Sequence, residues 1–327
     1  MSRKSPGCLK YGCFGCVGVV ALFFGFIFLV TATRFASSSE PEPVQASAEQ
    51  VLPAAPAMPP GDFAADGPET IEIDGEPGLP AAPAQGGKLV LDVSMAELIV
   101  RPGPADQPLQ VRGDFDGANY ELKEEYRQDD DGSWIYEVSF GGKGGFFGVI
   151  FGGSGQNVGN EIEIIVPRGH PFSLQGDMGL GETRIDLSGL WVQDVDLEFG
   201  AGDHFIEVRE PAPFPMGSFQ VESSMGEMEI RGLGDASPKS VDVEHGMGAL
   251  FLDLQGAWRQ DADAKVRFSM GECRVWVPEQ ARVDLKRGNV SMGERVSRLP
   301  DYSELPDDAP TVALDVRGSM GEMRVEY

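Results

Sequence analysis

The sequence predicts an all-β fold, a β-solenoid of stacked rungs of roughly 22 residues. Two observations predict it. A short phrase, Ser-Met-Gly-Glu, stands complete at Ser224–Glu227, Ser269–Glu272, Ser291–Glu294 and Ser319–Glu322. Looser copies lie at Leu180-Gly181-Glu182, Ala201-Gly202-Asp203, Met247-Gly248-Ala249 and Ser94-Met95-Ala96-Glu97. From Gly181 through Gly202, Gly226, Gly248 and Gly271 to Gly293 the steps are 21, 24, 22, 23 and 22 residues, and the last, to Gly321, is 28. The second observation is that residues flanking each phrase alternate apolar and polar. That period of two marks strands with one buried face.

The chain before the repeat divides in two. Residues 17–33 are uncharged and apolar, and with Phe14 to Cys16 they reach the length of about 20 residues that spans a bilayer as a helix. Arg3, Lys4 and Lys10 precede this run and Arg34 follows it, which places the N-terminus in the cytoplasm and exports the body to the periplasm or cell exterior. Residues 1–35 are therefore expected to be a cytoplasmic tip and membrane anchor, with contact to the membrane through residues 14–33. A signal peptide cleaved near Val30-Thr31-Ala32 is the alternative. Cys8, Cys13 and Cys16 crowd this end, where acylation beside a membrane segment would suit them. Residues 36–87 hold ten prolines and, before Lys88, no Lys or Arg, the composition of a disordered tether.

The body, 88–327, opens on a rung at residues 88–101 that looks isolated, because the period then breaks over an insertion at about 104–160. Tyr120 to Tyr126 and Trp134 to Phe140 read as two strands of a hairpin joined by the turn residues 128–133. Residues 141–160 are glycine-rich around Phe146-Phe147 and Val149-Ile150-Phe151, and lack the Gly-Lys-Ser/Thr of a phosphate loop.

From residue 161 each rung has one grammar. Phe219 and Val221 approach a phrase and Met228 and Ile230 leave it; Val241 and Val243 approach the next and Leu250 and Leu252 leave it. The glycine supplies a bend. The residue before each glycine (Leu180, Ala201, Met225, Met247, Met270, Met292, Met320) fits an inward plug at the corner, where methionine suits irregular gaps. The acid after it would form a ladder of Glu182, Asp203, Glu227, Glu272, Glu294 and Glu322 along one edge. Neighbouring charges about 4.8 Å apart repel by about 0.9 kcal/mol in water, which an exposed edge tolerates. The rung at Gly293 departs, since Arg295-Val296-Ser297-Arg298-Leu299 loses the apolar parity.

The order Glu161-Ile162-Glu163-Ile164-Ile165-Val166-Pro167-Arg168-Gly169, then Gly179-Leu180-Gly181-Glu182, then repeated strand–Gly-acid–strand rungs, resembles the adhesin-type "toastrack" β-solenoid domain of bacterial envelope proteins. Phe268 to Glu294 is also similar to the C-terminal domain of membrane proteins in cell-wall stress responses. The resemblance covers about residues 88–327. The glycine-rich insertion and the corner methionines depart from the usual form. It implies a domain without assigned catalytic residues.

The net charge of −26 argues against nucleic acid as a partner, because phosphate recognition needs clustered Lys and Arg. No His-Glu-x-x-His or Gly-x-Ser-x-Gly occurs, and His170, His204 and His245 fall in separate rungs. Cys273 reads as a small core residue. No catalytic, cofactor or metal residues are therefore assigned. The expected role is a non-enzymatic envelope interaction, scaffold or stress-sensing module with an unidentified protein or cell-wall partner. The alternatives are a carbohydrate-active β-helix enzyme, since carboxylate pairs are the chemistry of glycoside cleavage, and a calcium-dependent adhesin.

Overall fold

The computed structural model describes residues 48–51 (backbone only), 86–117, 119–128, 130, 133–143 and 159–327. The expected anchor, residues 14–33, lies outside them, as do most of the expected tether and the apolar centre of the glycine-rich insertion. No helix among the described residues is long and apolar enough to cross a membrane.

Among those residues the strands in chain order are β1 (Ala48–Val51), β2 (Gly87–Met95), β3 (Glu97–Gly103), β4 (Gln110–Phe115), β5 (Tyr120–Gln128), β6 (Trp134–Gly142), β7 (Glu161–Pro167), β8 (Pro171–Leu180), β9 (Thr183–Asp186), β10 (Trp191–Glu207), β11 (Ser218–Arg231), β12 (Ser240–Asp253), β13 (Ala262–Trp276), β14 (Arg282–Ser297) and β15 (Thr311–Glu326). Among the described residues the only helical piece is a 3-10 turn at Leu233–Asp235. The all-β expectation holds, and the strands form one large, mostly parallel sheet. One short strand, β1, falls inside the stretch expected to be a disordered tether.

Each long strand is a whole rung with a corner in its middle. In β11 the leading arm turns Phe219, Val221 and Ser223 inward and the trailing arm turns Met228 and Ile230 inward. Parallel pairing repeats this in register, so that Val221 meets Val243, Val243 meets Val266, and Val266 meets Val316. One such rung cannot bury its apolar side alone, but stacked rungs share a continuous core. The loops between rungs close that core on a further side. Val208, Ala212 and Met216 are buried in one loop, Leu233 and Ala236 in the next, and Leu254 and Trp258 in the third. Backbone bonds also tie loop to loop, as from Ala212 N to Asp235 O at 2.9 Å and from Gly234 N to Gln255 O at 3.0 Å.

The early rung is not isolated. β2 lies between β8 and β6, and β3 lies between β9 and β7, all parallel. Its neighbour is a rung split in two, with β6 as the leading arm and β7 as the trailing arm. Among the described residues no continuous strand joins these two arms, unlike the later rungs. This end of the stack is covered by antiparallel strands, β5 on β6 and β4 on β7, with β1 on β4. The expected hairpin is the β5–β6 pair, closing at Gln128 opposite Trp134.

At the other end, chain order and stacking order differ. β15 inserts between β13 and β14, leaving β14 at the edge. The chain must pass outside one rung position and return, and residues 298–310 do this, which accounts for the long final step. It also explains the lost parity. Arg295 and Ser297 pair with the inward Met323 and Val325, yet have no rung beyond them to pack against. A polar terminal rung is what a stack requires at its end. Exposed Lys286, Arg287 and Arg295 and a register shift between Leu285 and Arg287 discourage further strands from adding there.

A candidate functional site at the rung corners

The corner phrase is where structure and sequence reading part. Register pairs run Phe199–Ser223, then Ala201–Met225, and skip Gly200 and Ser224 between them. The same skip recurs at Gly246, Ser269, Ser319 and Ser291. From the last inward residue of a leading arm to the first of the trailing arm is thus five residues: Phe199 to His204, Ser223 to Met228, His245 to Leu250, Phe268 to Cys273. An odd interval reverses parity once. Four residues, such as Ser224 to Glu227, therefore sit on the outside of each corner.

The methionines are consequently not core plugs. Met225, Met247, Met270, Met292 and Met320 are 51, 44, 42, 59 and 40% exposed, and Leu180 is 46% exposed. Met225 pairs with Met247, Met247 with Met270, Met270 with Met320 and Met320 with Met292. The result is an outward ridge of five thioethers on adjacent strands, continued by Ala201, Leu180 and Met95. Met228 and Met323, three residues farther along their strands, are fully buried.

The glycine at each corner has a steric cause. Gly226, Gly248, Gly271 and Gly321 have φ between 120 and 131°, and an added Cβ would lie 1.8–1.9 Å from the carbonyl oxygen of the neighbouring rung's glycine. Only glycine permits both that conformation and that approach. The corner glycines therefore stack backbone on backbone.

The acids after the glycines do face outward, but their ladder is interrupted. Glu227 pairs with Ala249, which pairs with Glu272, and only then do Glu272, Glu322 and Glu294 adjoin. Arg274 meets Glu272 at 2.7 Å, and Arg324 pairs with Glu322. A longer acidic row lies on the leading arms, where Asp92, Asp177, Glu198, Glu222 and Glu244 stand in register, followed by Arg267 and Arg317. The sequence reading missed this row. Its signal was an acid two residues before the skip in five successive rungs, from Asp92 to Glu244. Beside it runs a groove of about 650 Å³ floored by Gly200, Ser224, Gly246 and Ser269. Phe199, Ser223, His245 and Phe268 lie under the groove and are buried, and Trp134, Trp191 and Trp258 are buried elsewhere. Among the described residues no exposed aromatic platform of the kind a sugar-binding groove uses lines it.

Inside the corner the chemistry is closed off. His204 packs against Phe199 with ring centroids 4.5 Å apart, and its ring nitrogens find no hydrogen-bond partner among the described residues. Burial pushes its pKa down to about 4; Asp203 opposes this and His245 adds to it. Burial lowers His245 as well, against the opposing effect of the Gly226 and Met247 backbone. Burial, with Glu272 beside it, pushes the Cys273 thiol up to about 12, which fits a core residue rather than a nucleophile. His170 lies apart, in the turn between β7 and β8. Among the described residues no group of three or more His, Cys, Asp or Glu is arranged to hold a metal ion.

Residues 63–231 match the family model for the N-terminal domain of toast_rack, DUF2154. The chain belongs to the toast_rack family. The match runs through the capped end and the rungs up to Met225, so four of the five ridge methionines lie beyond it. Among solved structures, a suspected cell adhesion protein from Clostridium sporogenes ATCC 15579 aligns with 74% of this chain and 93% of its own, at 14% identity and a TM-score of 0.36. No curated relative is detected.

Proposed function

We propose that this toast_rack protein is a membrane-anchored envelope component whose exported solenoid serves as a non-enzymatic interaction or scaffold module. The corner ridge and the acidic row beside it would be its contact surface. The observation that carries the reading is the in-register line of five exposed methionines. Packing does not ask for it, and exposed apolar side chains gathered in one line mark contact surfaces. The basic-flanked apolar run at residues 14–33 supports anchoring, and the Pro-rich stretch after it supports a tether.

The test has two arms. In cells, the chain should stay in carbonate-washed membranes, with its body digested by protease only from the exported side. In-cell cross-linking through a photoreactive residue at Ser224 should give discrete adducts. Changing all five ridge methionines to Ser should abolish them, while changing Phe205 and Phe251 on the trailing arms should not. Adducts unaffected by the ridge variant would refute the ridge as the contact surface, and a body digested only from the cytoplasmic side would refute the topology.

A further inference from the structure

We propose that the ridge binds soft monovalent metal ions, Cu(I) or its redox-inert analogue Ag(I), through thioethers contributed by consecutive rungs. Thioether sulfur is a neutral, polarizable donor that selects such soft ions over the hard ions Mg(II) and Ca(II). The ridge supplies it in an arrangement a single strand could not. Met225, Met247, Met270, Met320 and Met292 occupy one register line on five adjacent strands. Every one is at least 40% exposed, so an ion reaches the line without opening the core.

The spacing suits the chemistry. Adjacent strands lie about 4.8 Å apart. A zinc–thiolate bond is about 2.3 Å; with metal–thioether bonds on that order, two in line span roughly the strand spacing. Neighbouring methionines can therefore share an ion with little backbone movement, and their three rotatable bonds take up the remainder. The ion keeps its oxidation state on binding, and no proton is displaced because thioethers carry none. Acids two residues on, Glu227 and Glu294 among them, and a net charge of −26 raise the local concentration of any cation. They do not select a soft one; the sulfur does. Cys273 does not compete, being fully buried with its thiol held protonated.

An apolar contact surface would need only the bulk of methionine, which leucine shares, whereas metal binding needs the sulfur. That separates this inference from the proposed function, which concerns a contact at the same ridge. The experiment uses the full chain in detergent with Cys8, Cys13 and Cys16 changed to Ser, so that these thiols do not capture the probe. Silver nitrate is titrated in chloride-free buffer, and binding is followed by calorimetry and by the methionine methyl carbon resonances. The expected result is saturable binding that shifts the ridge methyls and leaves those of buried Met228 and Met323 in place. Met247→Leu, Met270→Leu and Met320→Leu combined should weaken binding more than about tenfold, since even residues outside the first ligand shell change metal affinity on that scale. The melting temperature should not change. Magnesium at matched ionic strength should leave the ridge methyls unmoved. Unshifted ridge methyls with silver, an equal shift with magnesium, or full affinity in the leucine variant would each overturn the proposal.

Discussion

The outer and inner faces of the same corners follow opposite rules. Outside, five adjacent rungs present one residue type, Met225, Met247, Met270, Met320 and Met292. Inside, two residues earlier, the same rungs present five types: Ser223, His245, Phe268, Gly318 and Val290. Packing ordinarily constrains the interior and leaves the surface free. Here the interior varies because volumes can be traded between neighbours. An added Cβ at Gly318 would lie 2.2 Å from the Phe268 ring, so one rung's large side chain occupies the space its neighbour leaves. Uniformity outside has no such source, which is why it points to function rather than to stability.

The largest effect should come from the backbone joint that both faces share. Gly271→Ala places a Cβ 1.8 Å from the Gly248 carbonyl oxygen at a φ of 129° and should cost about 4 kcal/mol or more in urea unfolding. Gly169 also has positive φ, at 87°, but nothing lies within 4 Å of its added Cβ. Its alanine variant should lose only about 1 kcal/mol. Equal losses would show that conformation alone, and not the glycine stack, sets the requirement.

Inner-face compensation is tested next by a double-mutant cycle. Phe268→Ala should cost about 3 kcal/mol as a cavity, and Gly318→Ala should cost about 1–3 kcal/mol by overpacking. Together they should cost clearly less than the sum, because the first makes room for the second. Additive losses would remove the volume-trading explanation.

The inner face also gives the corners an acid sensitivity. The folded state holds the His204 ring neutral, with a pKa pushed down to about 4, whereas the unfolded chain takes up the proton near 6.5. The stability from this group is therefore complete above about pH 6.5 and is lost as pH falls toward 4. His204→Leu should flatten the fall of melting temperature over that window. An unchanged slope would mean that His204 is not held neutral by the fold. The smallest effect should lie outside. Met270→Ser should change stability by no more than about 0.5 kcal/mol, while Met228→Ser, two rungs away and turned inward, should cost at least about 2 kcal/mol. A comparable cost at Met270 would return it to the core.

Much of the fold was legible because period-two alternation and the glycine period act over short distances. Phe219, Val221, Met228 and Ile230 are buried as their spacing requires. The corner was misread because one unpaired residue, Ser224 in this rung, reverses parity, and nothing in the identity of a serine announces that it lacks a strand partner. The order of the last two rungs was likewise hidden, since β14 and β15 carry the same phrase. Only the polar Arg295 and Ser297 marked β14 as the end of the stack. The acidic row through Glu198, Glu222 and Glu244 went unnoticed because register, not sequence proximity, brings it together.

The central claim is that the corner methionines face outward while their near neighbours face in. Dilute hydrogen peroxide followed by peptide mass spectrometry tests it within one chain, because thioether oxidation follows exposure. Met225, Met247, Met270, Met292 and Met320 should oxidise together at nearly the rate of free methionine, and Met178, Met228 and Met323 should lag far behind. Protection of the five ridge methionines to the level of Met228 would contradict the account.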